Sequence, residues 1–224
     1  MQYDILFEHP DFIIIQKPSG VTMHQSSNSQ FPALLNAKLA QEYFIVHRLD
    51  DQTSGCLILA KSARAAEQFR ILFSTHAIQK TYIAISDHKG KRKMGWVKGD
   101  MVNIRGGVWG LKQTHNNPAK SYFIRQGLGN GHYLFWVRPF SGKTHQIRVA
   151  LKSNGSPILG DPIYKGTPSD RVYLHAFALS FVFDNTHINV FAQPNSGNVF
   201  AALATDSECL EPANYARLSW PASR

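Results

Sequence analysis

His47, Arg48, Leu49 and Asp50, followed by Asp51, Gln52, Thr53, Ser54 and Gly55, bring an imidazole, a cation and two carboxylates into one short stretch. Apolar residues flank it, with Phe44 to Val46 leading in and Cys56 to Ala60 leading out. Ions at the edge of an apolar core lose hydration and need partners or must neutralise. That cost marks Arg48 and Asp50 as candidates for chemistry, against the alternative of loop charges that solvate a turn. A carboxylate held there can act as a nucleophile or as an electrostatic partner to developing charge.

Other chemistries lack their residues. The ten histidines and two cysteines form no His-x-x-x-His or Cys-x-x-Cys spacing, so a metal site is not indicated. Ser54 and Ser141 lie near His47 and His145, yet neither serine stands in a Gly-x-Ser-x-Gly elbow. No Gly-x-Gly-x-x-Gly or Walker loop is present, so no nucleotide cofactor is implied.

Further ordered motifs accompany the first. Lys80-Thr81-Tyr82-Ile83-Ala84 carries a tyrosine, and Ser141-Gly142-Lys143-Thr144-His145-Gln146-Ile147-Arg148-Val149 carries three basic residues. Gly160-Asp161-Pro162-Ile163-Tyr164 and Leu174-His175-Ala176-Phe177-Ala178-Leu179 follow. In order and spacing the set resembles the RluA family of RNA pseudouridine synthases, from about Ile5 to Phe191. The resemblance implies a cofactor-free isomerase acting on uridine in structured tRNA or rRNA, with Asp50 as the catalytic carboxylate. It implies Tyr82 as the ring that stacks on the extruded uracil and assists proton removal, the alternative being a core tyrosine with a satisfied hydroxyl. Arg148 is implied as the ionic partner keeping Asp50 charged, the alternative being a phosphate contact or a surface helix charge. Arg48 would fill the gap left by the flipped uridine, or else pair with Asp51. Lys143 would meet RNA phosphate, and His47, Thr53 and Ile147 would also contact substrate. Ala150 departs from relatives, which often have histidine there. The second function weighed is an RNA-binding module or chaperone of the same fold without turnover.

Composition agrees with an RNA partner. Lys and Arg total 24 against 15 acidic residues, a formal charge of +9 and a pI near 9.6, which concentrates polyanions near the surface. A cationic solubility surface is the alternative. No apolar run is long enough to span a bilayer, no signal peptide is visible, and Cys56 lies in an apolar run as a buried thiol. The expectation is a cytoplasmic, soluble monomer with no obligate protein partner and no membrane association.

The elements that must position these residues read as follows. Ile5 to Phe7 and Phe12 to Ile15 form a hairpin around His9-Pro10-Asp11, and Lys17-Pro18-Ser19-Gly20 is a turn. Residues 24–31 are polar, and Pro32 opens a helix. Ser62 caps a helix that buries Ala66, Phe69, Leu72 and Phe73. Lys80 to Ser86 is a strand with Tyr82 on the face opposite Ile83 and Ile85. A basic insertion at about 87–120, with Lys91, Arg92, Lys93, Trp96 and Trp109, reads as family-variable decoration, either RNA-contacting or a solvated basic hairpin. Ser121 to Gln126 pairs with Tyr133 to Arg138, and a helix over His145 to Lys152 ends at Asn154-Gly155, with Ile147, Ala150 and Leu151 on one face and His145, Arg148 and Lys152 on another. Val172 to Phe183 and Ile188 to Phe191 are strands, and Val199 to Thr205 a last helix. Thr53-Ser54-Gly55 reads as the turn that holds Asp50. The expected fold is α+β: one pseudouridine synthase catalytic domain over 1–224, with a mixed, largely antiparallel central sheet, flanking helices and a cleft. The core strands begin by Ile5, so no S4 RNA-binding domain is expected ahead of them.

Overall fold

The computed structural model describes residues 3–23, 42–205 and 209–222, so the polar 24–31 stretch and the helix expected after Pro32 lie outside the described residues. The fold is α+β, with antiparallel strands and few helices. Two compact units divide it, residues 1–80 with 176–192 and residues 81–175 with 193–224.

In the first unit β1 (Asp4–Glu8), β2 (Phe12–Lys17), β3 (Phe44–Ile45) and β4 (Ser54–Ala60) are joined by β11 (Thr186–Phe191) and by most of β10 (Leu174–Phe183). β2 lies between β1 and β4; β3 pairs with the end of β4, and β11 with β10, all antiparallel. β2 and β4 are buried along their whole length, which is why they read as continuous apolar runs rather than alternating ones. The His9 and Phe12 backbones exchange two hydrogen bonds across the expected turn. Helix α1 (Ala63–Ser74) starts at Ser62, whose Oγ accepts from the Ala65 amide, and buries Ala65 and Phe69. Phe69 stands 5.0 Å from both Phe12 and Phe183, edge-on to the first and stacked on the second.

In the second unit the strand order is β5 (Gln79–Ser86), β9 (His132–Pro139), β8 (Pro118–Gly129), β6 (Met94–Arg105) and β7 (Val108–Lys112). Helices α2 (Gln146–Ser153), α3 (Asn198–Thr205) and α4 (Pro212–Ala216) complete it. Tyr122 is opposite Arg138, and Trp96 opposite Tyr122. The stretch read as decoration is thus ordered sheet: β6 pairs with β8 over Met94 to Asp100 and with β7 over Asp100 to Arg105. Lys98, Arg105 and Lys112 sit on exposed strand positions, Lys91, Arg92 and Lys93 precede β6, and among these charges the buried alternation at Val97 and Gly99 was masked. Helix α4 was not anticipated. Among the described residues no helix is long and apolar enough to cross a membrane.

Candidate active site and its supports

In the first unit, Asp50 opens a turn. The Thr53 amide donates to the Asp50 carbonyl at 2.9 Å, and Asp51 and Gln52 form the bend. Every carbonyl of this turn is held. Lys17 Nζ donates to the carbonyls of Asp51 and Thr53, both at 3.0 Å, and to that of Pro18 at 2.9 Å. The Gly20 amide also donates to Asp51 O at 2.8 Å, and Ser19 Oγ to Gln52 O at 2.7 Å. Lys17 is fully buried. Its ammonium therefore holds the Lys17-Pro18-Ser19-Gly20 segment against the Asp50 turn through three carbonyl dipoles. The sequence offered this lysine only as part of a turn.

Leu49 is buried between an exposed Arg48 and a half-buried Asp50, so the short extended stretch turns its apolar residue inward and both charges away from it. Thr53 and Ser54 are buried, and β4 begins at Ser54. The expected Thr53-Ser54-Gly55 turn is corrected to Asp50–Thr53. Gly55 is needed for a different reason: at φ 110° it lies so close to β10 that a Cβ would overlap the Ala176 backbone. His47 has a structural duty, since its Nε2 accepts from the Ile58 amide at 2.9 Å and its ring packs 4.7 Å from Phe73. Burial, aided by the charge of Lys80, pushes its pKa down to about 3, so it is neutral at physiological pH. Cys56 is a buried free thiol, pushed up to about 12 by burial, and Cys209 is also free.

In the second unit, helix α2 positions the third motif. Residues Gln146 to Leu151 are all buried, including Arg148 at 3% exposure and Ile147 at 7%. Of the face bearing His145, Arg148 and Lys152, Arg148 is therefore interior, while Lys152 is exposed. Arg148 donates from Nε and Nη2 to the two carboxylate oxygens of Asp161, at 2.7 and 2.8 Å. The amides of Ile163 and Tyr164 donate to Asp161 Oδ1 as well. This fork-on-fork pair fixes the guanidinium plane, and the Tyr164 ring lies 5.0 Å from its centre. Asp161, fully buried in the Gly160-Asp161-Pro162 motif, is a support that the sequence reading left without a role; an aspartate thirteen residues from its arginine has no local pattern to betray it. Gln146 is the second such residue. Its Oε1 accepts from Ser141 Oγ at 2.8 Å and from the Lys143 amide at 3.0 Å, while its Nε2 donates to Lys120 O and Ser121 Oγ. That network shapes the loop bearing Lys143, which is half-buried. Tyr82, on β5, is half-buried between fully buried Thr81 and Ile83, so its strand presents it on the face expected from the alternation. Asp50, Arg48, His47 and Thr53 thus belong to one unit, and Tyr82, Lys143, Ile147 and Arg148 to the other.

Comparison with known proteins supplies the class. Residues 11–153, more than half of the chain, match the family described as RNA pseudouridylate synthase. An uncharacterized RNA pseudouridine synthase of Haemophilus influenzae is 46% identical over 88% of this chain and 90% of its own length. Ribosomal large subunit pseudouridine synthase C of Rickettsia bellii is 30% identical over 77% of this chain, which spans 61% of that relative. The solved structure of human RNA pseudouridylate synthase domain containing 1 shares the fold, with a TM-score of 0.72 at 22% identity over 86% of this chain and 84% of that one. The chain belongs to the RluA-type family of RNA pseudouridine synthases, isomerases that act on RNA.

Proposed function

We propose that Asp50 is the catalytic carboxylate and that the target is a uridine in structured tRNA or rRNA. The reaction breaks the bond from ribose C1′ to uracil N1, rotates the base and joins C1′ to C5; a proton leaves C5 and one is gained at N1. Nothing is oxidised or consumed. Asp50 serves as nucleophile or electrostatic partner when the glycosidic bond breaks. Tyr82 stacks on the extruded uracil and assists loss of the C5 proton, Arg148 keeps Asp50 ionised, and Arg48 fills the space the uridine vacates. Lys143 contacts phosphate, with His47, Thr53 and Ile147 lining or bracing the substrate site. The protein works in the cytoplasm as a monomer, without cofactor or obligate partner.

The observation that carries this reading is the clamped turn beneath Asp50, in which each carbonyl from Asp50 to Thr53 accepts a hydrogen bond. A turn so held presents one carboxylate in a fixed direction, as catalysis requires. The buried, bidentate Arg148 supports a fixed cation in the same way. The name of the Rickettsia relative makes large-subunit rRNA the first target to test. Purified protein should release tritium from RNA labelled at uridine C5, and Asp50→Asn should reduce release to background while retaining RNA binding. Equal release by Asp50→Asn would overturn the assignment of Asp50. No release from any RNA class by folded protein would favour the binding module.

A further inference from the structure

In the second unit a cleft of about 340 Å³ opens between the β6–β7 hairpin, the 114–117 loop and the approach to helix α2. Asp100, Met101, Trp109, Asn116 and Asn117 line it together with the segment from Gly142 to Thr144. Trp109 differs from the other tryptophans. Trp96 lies 4.8 Å from Phe140 and 4.6 Å from the Lys98 ammonium; Trp136 meets Tyr215 at 5.9 Å, and Trp220 meets Arg138 at 4.1 Å. Trp109 is half-buried at the cleft, and among the described residues its ring has no aromatic or cationic partner. Its backbone amide donates to the Tyr164 hydroxyl at 3.0 Å.

Both walls are preset. The Asp100 carboxylate accepts from the amides of Asn116 and Asn117 at 3.0 and 2.8 Å, and these bonds, led by one from the Thr114 hydroxyl, hold it below the usual carboxylate range. The loop is thereby fixed, while the carboxamides of Asn116 and Asn117 stay exposed without partners among the described residues. Opposite them, the Gln146 network fixes the loop of Lys143, whose ammonium has no acidic partner among the described residues. An open indole face, two open carboxamides and an uncommitted cation around a space near the lower end of ligand-pocket volumes suit one nucleotide. The ionised Asp100, bonded to the Asn116 and Asn117 amides, repels phosphate from the asparagines, which directs phosphate to Lys143 and the base edge to the asparagines.

We infer that this cleft is a subsite for one RNA nucleotide other than the target uridine, with its base stacked on Trp109, its edge read by Asn116 and Asn117, and its phosphate at Lys143. The inference rests on the chain acting on RNA but not on which carboxylate reacts. The test is the rate of tritium release from C5-labelled RNA as a function of RNA concentration. Trp109→Ala should raise KM about fivefold or more, the loss of one stacked base, with kcat within about twofold; Trp109→Phe, which keeps a ring, should stay near the parent. Filter binding of the same RNA to Asp50→Asn, with and without Trp109→Ala, should show the same weakening in the absence of turnover. That arm separates this subsite from the assignment of Asp50. If melting shows that Trp109→Ala is unfolded, the double change Asn116→Ala with Asn117→Ala reads the same expectation. Unchanged KM and binding in folded variants, or a fall in kcat alone, would overturn the subsite.

Discussion

Lys17→Met removes the ammonium that holds the Asp50 turn while keeping an unbranched chain of similar length. Three acceptors lose a charged donor. Asp51 O keeps the Gly20 amide, whereas the carbonyls of Pro18 and Thr53 have no second donor among the described residues. Leaving a buried carbonyl unsatisfied costs about 1–3 kcal/mol, and Thr53 O is the more enclosed of the two. The expected destabilisation is about 2–4 kcal/mol, a large share of the roughly 5–15 kcal/mol that domains possess. The turn would also lose its lower attachment, and misplacing a catalytic group by about 1 Å costs on the order of a hundredfold in rate. Urea unfolding and tritium release, measured on the same preparation below the unfolding midpoint, read the two effects. Lys17→Arg should not rescue, because a planar fork cannot converge on three carbonyls as an ammonium does. A folded Lys17→Met with stability within about 0.5 kcal/mol of the parent and an unchanged kcat would refute the clamp.

Two further outcomes follow from buried groups. Asp161→Ala takes away the bidentate partner of Arg148 and the acceptor of two amides; breaking such a pair costs about 3–5 kcal/mol, so the melting temperature should fall by about 6–20 °C. A fall under about 3 °C would show that the pair is dispensable. His47 concerns pH. Its folded pKa of about 3 lies below the ordinary 6.5, so as pH drops through 6.5 the unfolded chain takes a proton that the folded one refuses, and stability declines toward pH 3. His47→Gln, whose side-chain oxygen can still accept from the Ile58 amide, should flatten the fall of the urea midpoint between pH 7 and 4.5. An unaltered slope would remove His47 from the account.

Much of the fold was legible because it depends on local pattern. The apolar runs Phe12 to Ile15 and Cys56 to Ala60, the alternation through Tyr82, the cap at Ser62 and the pairing of Ser121 to Gln126 with Tyr133 to Arg138 each carry their reason within a few residues. The insertion was harder to read because its exposed lysines and arginines obscured the buried alternate positions of β6. Gly55 misled for a related reason. A glycine after Thr-Ser announces a turn, yet here the missing side chain serves the approach of β10, which is more than a hundred residues away along the chain.

By itself the sequence determined the family, the reaction class and the identity of Asp50, Tyr82, Arg48 and Arg148 as candidates, since residue types in a fixed order record a chemistry. Only the tertiary structure decided what supports them. Lys17 reaches carbonyls 34 and 36 residues away, Arg148 finds Asp161, and Gln146 binds a loop to β8. Each contact joins groups that leave water together, and burial of a charge is tolerated only where folding delivers its partners. The same holds for Trp109, whose open ring face is visible only once the other aromatic side chains have found their neighbours.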